Sequence, residues 1–238
     1  MNKFFSNLAR IAIFNFLLIS FLLPGIKLTL VLFFRSNNEQ LHFYATICTV
    51  ILSFLLFMLE FSWIRVLFMN PGKLIDEINK RGSLPISHYP PCKKCGLPKP
   101  PRCHHCSQCG CCILFMDHHC ETIGSCLGYY NYKVFILVLF YGSITCAYGA
   151  FVLLTSLFLT KGYKIKQLFL SILLLSLSFA LHLFSNIYIK MSRNNTSTID
   201  TIYPLEQQTP LPKINYFDSG IWRFIPSPPR INPYEYIE

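Results

Sequence analysis

Four long apolar stretches dominate the pattern of hydrophobic and polar positions along this chain of 238 residues. A helix needs about 20 predominantly apolar residues to cross the hydrocarbon core of a bilayer, and each stretch is near that length. The second and third stretches contain no Lys, Arg, Asp or Glu. The pattern therefore predicts an α-helical polytopic membrane protein with four transmembrane helices. The stretches are Leu8–Phe34, Leu41–Leu59, Val134–Leu159 and Leu168–Ile189.

The first stretch is the least regular of the four, because Pro24, Gly25 and Lys27 interrupt it. The Pro-Gly pair can end the helix and leave Lys27 and Arg35 in an external loop. A cleaved signal peptide is a weaker interpretation, since no small-x-small cleavage site follows the apolar run. A buried helix of a soluble protein is the alternative for such stretches, and it fits the third stretch poorly.

The distribution of Lys and Arg predicts which side of the membrane each segment occupies. With four spans, both termini and the segment between the second and third spans share one side. Sixteen basic residues fall on that side and four or five on the other, so the positive-inside rule makes that side cytosolic. The predicted parts are 1–64 with transmembrane helices 1 and 2, 65–133 as a cytosolic cysteine-rich domain, 134–189 with transmembrane helices 3 and 4, and 190–238 as a cytosolic tail.

The composition agrees with a multi-pass membrane protein. Hydrophobic residues make up 53% of the chain and charged residues only 13%, against about 25% charged residues in a soluble globular protein. A net charge of +10 is typical of nucleic-acid binding in a soluble protein, but membrane orientation accounts for it better here. The pattern does not distinguish an endomembrane, such as the ER or Golgi, from the plasma membrane. The tail from Asn194 is rich in Pro, Asn, Ser and Thr and is predicted as loop, whereas residues 73–81 are predicted as a short amphipathic helix.

Nine of the eleven cysteines fall between Cys92 and Cys126, inside the predicted cytosolic domain. The cytosol is reducing, so these cysteines are expected to be thiols or metal ligands rather than disulfides. Two histidine pairs, His104-His105 and His118-His119, lie in the same segment. Disulfides need no histidine, so the cluster indicates a metal site.

The spacing within the cluster repeats and resolves into two interleaved Cys3His sets. In each set a Cys-x-x-Cys pair is followed ten residues later by a histidine and seven residues after that by a cysteine. Thiolate plus imidazole in a set of four suits structural zinc, and a domain this short depends on its metals for folding energy. The sequence therefore predicts two structural Zn²⁺ ions. The first set is Cys92, Cys95, His105 and Cys112, and the second is Cys106, Cys109, His119 and Cys126.

Cys120 is outside both sets and directly follows Asp117-His118-His119. With His119 assigned to zinc, His118 is left to take the thiol proton and Asp117 to orient the imidazole, which together make an activated nucleophile. A spare zinc ligand is the alternative for Cys120, and for Cys103 and Cys111 a spare small residue is the better interpretation. Close to a membrane, such a thiolate can attack an activated acyl group and pass it on to a protein cysteine.

At Asp117–Cys120 the sequence resembles the DHHC family of protein S-acyltransferases, also called palmitoyltransferases. The resemblance covers Cys92–Phe135 and the arrangement of four spans with this segment between the second and third. It implies Cys120 as the acylated nucleophile, His118 as the general base, Asp117 as its orienter and the same two zinc sets. It also implies palmitoyl-CoA or another long-chain acyl-CoA as donor and membrane-proximal cysteines of substrate proteins as acceptors.

Three further segments are similar to motifs of that family. Asn70-Pro71-Gly72 resembles its Asp-Pro-Gly motif after span two, and Ser197–Asp200 resembles its Thr-Thr-x-Glu motif after span four. Tyr216–Gly220 is faintly similar to its aromatic C-terminal motif. The chain departs from the family after the nucleophile, where Glu121 and Thr122 replace the usual Pro-Trp.

The replacement of Pro-Trp leaves a second hypothesis open, a catalytically weak or inactive membrane adaptor whose zinc domain binds protein partners. A RING-type ubiquitin ligase fits poorly, because the ligands span only 35 residues without the long ligand-free loop of a RING. Nucleic-acid binding is not expected, since the cluster is predicted at the membrane and lacks stacking aromatics. The favoured hypothesis is therefore a membrane-embedded protein S-acyltransferase.

Overall fold

The structure is a computed structural model that describes residues 3–16, 38–81, 88–159, 164–202 and 224–227. It divides into two compact units. Unit 1 comprises Met1–Trp63 with Leu137–Asn186, and unit 2 comprises Ile64–Ile136 with Ile187–Glu238. The elements in chain order are α1 (3–16), α2 (Glu39–Phe68), α3 (Leu74–Arg81), β1 (His104–Cys106), β2 (Cys111–Ile113), β3 (His118–Cys120), β4 (Ser125–Leu127), α4 (Tyr132–Leu159), α5 (Lys164–Arg193) and α6 (Thr198–Ile202).

Within the described ranges, α2, α4 and α5 are long and apolar enough to cross a membrane. They contain the second, third and fourth apolar stretches, so the helical prediction for these three is confirmed. Of the first stretch, Leu8–Phe34, only the part up to residue 16 is described, and it lies in α1. The remainder lies outside the described residues, and four spans therefore remain a prediction.

In unit 1, α4 is the most buried of the three long helices and α5 the least. Ala150 and Leu153 of α4 pack with Leu52 of α2 and Leu174 of α5 in one apolar cluster. Large apolar side chains on α5 remain exposed, among them Phe169, Ile172, Phe179 and Phe184. An apolar surface of this extent is unfavourable in water and suits contact with lipid.

In unit 2, the Asn70-Pro71-Gly72 segment ends α2 and anchors the cysteine-rich region. Asn70 Oδ1 accepts the backbone N–H groups of Gly72 and Lys73 at 2.9 and 3.0 Å, which starts α3 and confirms the short helix predicted over residues 73–81. The carbonyl of Gly72 accepts the N–H of Leu114 at 2.8 Å. A Cβ on Gly128 would lie 2.4 Å from the Pro71 carbonyl oxygen, so this close approach of two backbones requires glycine.

The cysteine-rich region contains two short antiparallel hairpins, β1–β2 and β3–β4. Cys106, Ile113, Met116 and Cys126 form a small buried cluster, against which Ile199 packs. A segment this short draws part of its stability from bound metal or from neighbouring elements.

Candidate functional site

The structure brings together both sets of four residues that the spacing predicts. Within each set, one donor atom from every residue lies within 4.8 Å of the other three. The sets are Cys92, Cys95, His105 and Cys112, and Cys106, Cys109, His119 and Cys126. Two clusters compatible with zinc are therefore present.

The hairpin register explains how each set assembles. His105 of β1 pairs with Cys112 of β2, and His119 of β3 pairs with Cys126 of β4. Each hairpin thus supplies the histidine and the last cysteine of one set. The Cys-x-x-Cys turn that precedes it in the chain supplies the other two ligands, so the second set links the two hairpins.

The distances between donor atoms fit tetrahedral zinc. His119 Nδ1 lies 3.5, 3.4 and 3.7 Å from the sulfurs of Cys106, Cys109 and Cys126, and the sulfurs of Cys109 and Cys126 are 3.5 Å apart. With Zn–S of about 2.3 Å and Zn–N of about 2.0 Å, a tetrahedron requires edges of roughly 3.5–3.8 Å. The donor set and its geometry therefore both suit Zn²⁺.

Strand β3 places His118 and Cys120, the predicted base and nucleophile, on the opposite face from His119, a predicted zinc ligand. Successive side chains of a strand point to opposite faces, so His118 and Cys120 share one face and His119 points to the other. His118 Nδ1 lies 2.6 Å from Asp117 Oδ2, and the His118 ring is also hydrogen-bonded with Cys120 Sγ. Asp117, His118 and Cys120 therefore form a continuous hydrogen-bonded chain.

The electrostatics of this chain favour a thiolate paired with an imidazolium. Burial lowers the pKa of His118, but hydrogen bonds with Asp117 and Cys120 outweigh it and raise that pKa to about 9. Burial raises the pKa of Cys120, but the hydrogen bond with His118 and those from the backbone N–H groups of Ile123 and Thr122 outweigh it and lower that pKa. Both shifts have the direction that an activated cysteine nucleophile needs.

The Asp117 carboxylate is held by the N-terminus of α6. The backbone N–H of Thr198 donates to Asp117 Oδ1 at 2.8 Å, and the Thr198 hydroxyl donates to Oδ2 at 2.9 Å. Ser197 and Asp200 cap this helix reciprocally, through Ser197 N–H to Asp200 Oδ2 at 2.8 Å and Asp200 N–H to Ser197 Oγ at 3.2 Å. The prediction of loop from Asn194 is therefore wrong at residues 198–202, because a capping box starts a helix there.

A buried ion pair fixes this helix on the cysteine-rich region. Arg102, whose side chain is 4% exposed, donates to Asp200 Oδ2 at 2.7 Å and to Asn195 Oδ1 at 2.9 Å. The Arg102 guanidinium also lies 5.8 Å from the centroid of the Phe115 ring. Arg102 thus holds the segment that contains Thr198, and Thr198 in turn orients Asp117. No direct contact between Arg102 and Asp117 is among the interactions described.

The imidazole of His118 is flanked by two aromatic rings. Its centroid lies 6.3 Å from that of Phe135 in α4 and 6.3 Å from that of Tyr188 in α5, and these two rings meet edge to face at 5.2 Å. Such a wall limits the access of water to one side of the imidazole. The sequence indicates Thr198 only as a member of the Ser197–Asp200 motif, and no sequence signal places Tyr188 or Arg102 at this site.

Three further residues singled out in the sequence lie outside both sets: Glu121, which follows Cys120 directly, and the cysteines Cys103 and Cys111. Glu121 is exposed and accepts a hydrogen bond from Gln108 Nε2 at 2.8 Å. Cys103 is buried and its sulfur is close to that of Cys112. Cys111 lies opposite Cys106 in the first hairpin, and neither Cys103 nor Cys111 belongs to a four-residue set.

Comparison with known proteins decides the family of this region. Residues 87–204 match the family model described as DHHC palmitoyltransferase. The chain carries a DHHC palmitoyltransferase domain. This domain contains both Cys3His sets, the Asp117–Cys120 chain and α6, so the resemblance expected from Asp117–Cys120 is confirmed.

Curated relatives of the DHHC domain carry consistent names. "Probable protein S-acyltransferase 12" of Arabidopsis thaliana is 32% identical over 137 residues, which cover 51% of this chain and 46% of the relative. "Palmitoyltransferase pfa3" of Aspergillus fumigatus is 33% identical over 192 residues, 69% of this chain and 35% of the relative. "Palmitoyltransferase ZDHHC15" of Xenopus laevis is 47% identical over 57 residues, 24% of this chain and 17% of the relative. The chain thus spans less than half the length of these relatives.

The contact between Thr198 and Asp117 leads to a prediction for the DHHC domain. Thr198→Val removes the hydroxyl but keeps the backbone N–H contact, and we expect acyl-enzyme formation to slow by roughly 10- to 150-fold, since a hydrogen bond to a charged group contributes about 1.5–3 kcal/mol. Single-turnover labelling with acyl-CoA measures the rate. Thr201→Val is the matched control, because the Thr201 hydroxyl donates only to the Thr198 carbonyl. Equal rates for the two variants would contradict a role for Thr198 at Asp117.

Proposed function

We propose that this protein is an S-acyltransferase that moves a long-chain acyl group from acyl-CoA to Cys120 and then to cysteines of substrate proteins. The observation that carries the proposal is the hydrogen-bonded chain from Asp117 through His118 to Cys120. The DHHC domain and the names of its relatives support the reaction class. Asp117 acts as orienter, His118 as base and Cys120 as nucleophile.

The first step forms a thioester on the protein. His118 holds the proton of the Cys120 thiol, and the thiolate attacks the carbonyl carbon of the acyl-CoA thioester. The bond between that carbon and the sulfur of CoA then breaks, and the CoA thiolate takes the proton from His118. The acyl group remains on Cys120 Sγ and free CoA leaves.

The second step transfers the acyl group to the acceptor. His118, now neutral, takes the proton of a substrate cysteine, whose sulfur attacks the acyl carbon on Cys120. The bond to Cys120 Sγ breaks, and the thiolate–imidazolium pair is restored. Asp117 keeps the Nδ1–H of His118 directed at its carboxylate in both steps, so that the opposite ring nitrogen faces the reacting sulfur.

The two Cys3His sets have a structural role in this proposal. Zinc bound there would hold the hairpins in register and supply no acyl-transfer chemistry. His119 and Cys126 would hold the second ion on the two strands of the catalytic hairpin, with His119 next to both His118 and Cys120 in β3. The proposed ligands are those of the two sets defined above.

The proposed setting is a multi-pass membrane protein with the domain of residues 65–133 in the cytosol. Three described helices of membrane-spanning length support membrane insertion, and the excess of Lys and Arg on the side of this domain supports its orientation. Palmitoyl-CoA and other long-chain donors partition into the bilayer, as do acylated products. Acceptor cysteines close to the membrane surface are therefore the proposed substrates.

The test of this function is a two-stage transfer with purified, zinc-loaded full-length protein. Labelled palmitoyl-CoA is added first, the excess is removed, and a cysteine-containing peptide anchored in vesicles is then supplied. We expect label on the protein that hydroxylamine removes, followed by its appearance on the peptide. Zinc-loaded protein that never acquires label from any long-chain acyl-CoA would favour the adaptor hypothesis that Glu121 and Thr122 leave open.

Glu121 provides a prediction about the donor. Its exposed carboxylate lies next to the nucleophile and is oriented by Gln108, so it repels the phosphates of CoA. We expect Glu121→Gln to lower the half-saturating concentration of palmitoyl-CoA by about fivefold at low salt, with a smaller effect at high salt. Gln108→Ala keeps the charge and is the control. An unchanged half-saturating concentration in Glu121→Gln would contradict electrostatic repulsion by this residue.

A further inference from the structure

The turn that follows the nucleophile repeats the backbone of the two Cys-x-x-Cys turns. Three turns begin at Cys92, Cys106 and Cys120, spaced 14 residues apart. In each, the glycine four residues later has a positive φ and donates its N–H to the carbonyl of that first cysteine. The φ angles are 73° for Gly96, 67° for Gly110 and 63° for Gly124, and the three N···O distances are 2.8, 2.9 and 2.8 Å.

The sulfur positions repeat along with the backbone. Cys106 Sγ accepts the backbone N–H of Cys109, three residues on, at 3.3 Å. The backbone N–H groups of Ile123 and Thr122 are the corresponding neighbours of Cys120 Sγ. The hairpin registers also match, since Cys106 opposes Cys111 and Cys120 opposes Ser125.

Two differences separate the third turn from the first two. The position of the second cysteine is taken by Ile123, whose side chain is 1% exposed. The positions that would complete a third set, 14 residues after His119 and Cys126, are Lys133 and Phe140, which do not ligate zinc. The third turn therefore has the backbone of a zinc turn and a single potential sulfur ligand.

We propose that the catalytic turn is a zinc turn that lacks its second ligand, and that the apolar side chain of Ile123 prevents a metal ion from binding at Cys120. The thiolate is both the nucleophile and the metal ligand, so a metal ion bound there would block acyl transfer. An apolar side chain at position 123 preserves the turn and removes the chelating partner. The proposal rests on the proposed function only in naming Cys120 as the nucleophile.

The geometry predicts that Ile123→Cys completes a third metal site. The two thiolates of positions 120 and 123 would be joined by the imidazole of His118, which interacts with Cys120 and whose Nδ1 is engaged with Asp117. Three protein ligands with an open fourth position are sufficient to bind zinc. Ile123→Val keeps an apolar branched side chain and creates no such site.

The experiment measures bound metal and thiol reactivity in full-length protein purified with zinc. We expect two zinc ions per chain in wild type and Ile123→Val, three in Ile123→Cys, and two in Ile123→Cys combined with Cys120→Ser. Cobalt substitution should add a third equivalent with thiolate charge-transfer absorption only in Ile123→Cys. In that variant zinc should protect Cys120 from alkylation, and mild chelation that leaves two ions bound should restore alkylation.

Two zinc ions in a folded Ile123→Cys protein with a freely alkylated Cys120 would overturn the proposal. A third ion that persists when Cys120 is also replaced would overturn it as well, because the ion would then not use the catalytic sulfur. If Ile123→Cys does not elute as a folded species, Ile123→His supplies an imidazole ligand at the same position and is held to the same counts. None of these readouts uses acyl-CoA, so a failure of the acyl-transfer proposal leaves the metal count unaffected.

Discussion

Replacing His118 with alanine is expected to slow formation of the acyl-enzyme by roughly 10²- to 10⁴-fold, the usual contribution of a general base. The imidazole is the only group described as hydrogen-bonded to both the Asp117 carboxylate and the Cys120 sulfur. Without the imidazole, no other side chain in the described interactions is placed to take the proton of the Cys120 thiol. The departing CoA thiolate likewise loses its proton donor. Single-turnover labelling with palmitoyl-CoA measures the loss.

His104→Ala is the matched control, because His104 occupies the corresponding position of the first hairpin and makes no part of the proposed chemistry. This variant should keep two zinc ions and most of the wild-type rate. A His118→Ala protein that retains two zinc ions and acylates as fast as His104→Ala would contradict the assignment of His118 as the base.

Loss of one zinc ligand is expected to have the second large effect. Cys126 is fully buried and pairs with His119 across the catalytic hairpin, so Cys126→Ser removes a ligand that also fixes the strand carrying Cys120. Structural zinc contributes an apparent 10–16 kcal/mol in small domains, which is comparable to the whole stability of a domain, about 5–15 kcal/mol. We expect the second ion to be lost, acyl-enzyme formation to be abolished and the cysteine-rich region to become protease-sensitive.

Cys111→Ser provides the control for this prediction, since Cys111 lies in the first hairpin of the same cysteine-rich region but in neither four-residue set. It should retain two zinc ions, resistance to protease and activity. Should Cys126→Ser keep both ions and full activity, or should Cys111→Ser lose an ion, the assignment of the second set would be wrong.

The zinc sets could be predicted from sequence because their signal is local and repeated. Cys, His and Cys recur at the same offsets in both sets, and such spacing determines which residues a hairpin places side by side. The face shared by His118 and Cys120 follows from the alternation of a single strand. The helices α2, α4 and α5 follow equally directly from long uncharged apolar runs. The first apolar stretch, Leu8–Phe34, and Tyr216–Gly220 lie wholly or largely outside the described residues, so those predictions stand as they were made.

The contacts that support the triad could not be predicted, because they join residues distant in the chain. Arg102 meets Asp200, and Asp117 meets Thr198, across more than 80 residues, and no local pattern encodes such pairs. Two local signals were nevertheless present. Ser197 and Asp200 have the spacing of a capping box, which predicts α6 where composition predicted loop. The recurrence of glycine at the fifth position of all three turns, up to Gly124, indicates the third zinc-like turn.

In the proposed reaction, the sulfur of Cys120 carries the acyl group during turnover. The most direct measurement is mass spectrometry of the intact, zinc-loaded protein after incubation with palmitoyl-CoA, followed by mapping of the modified peptide. We expect one hydroxylamine-sensitive acyl group on Cys120, absent from Cys120→Ser and retained in Cys111→Ser. An acyl group on another cysteine in the wild-type protein, with none on Cys120, would contradict it.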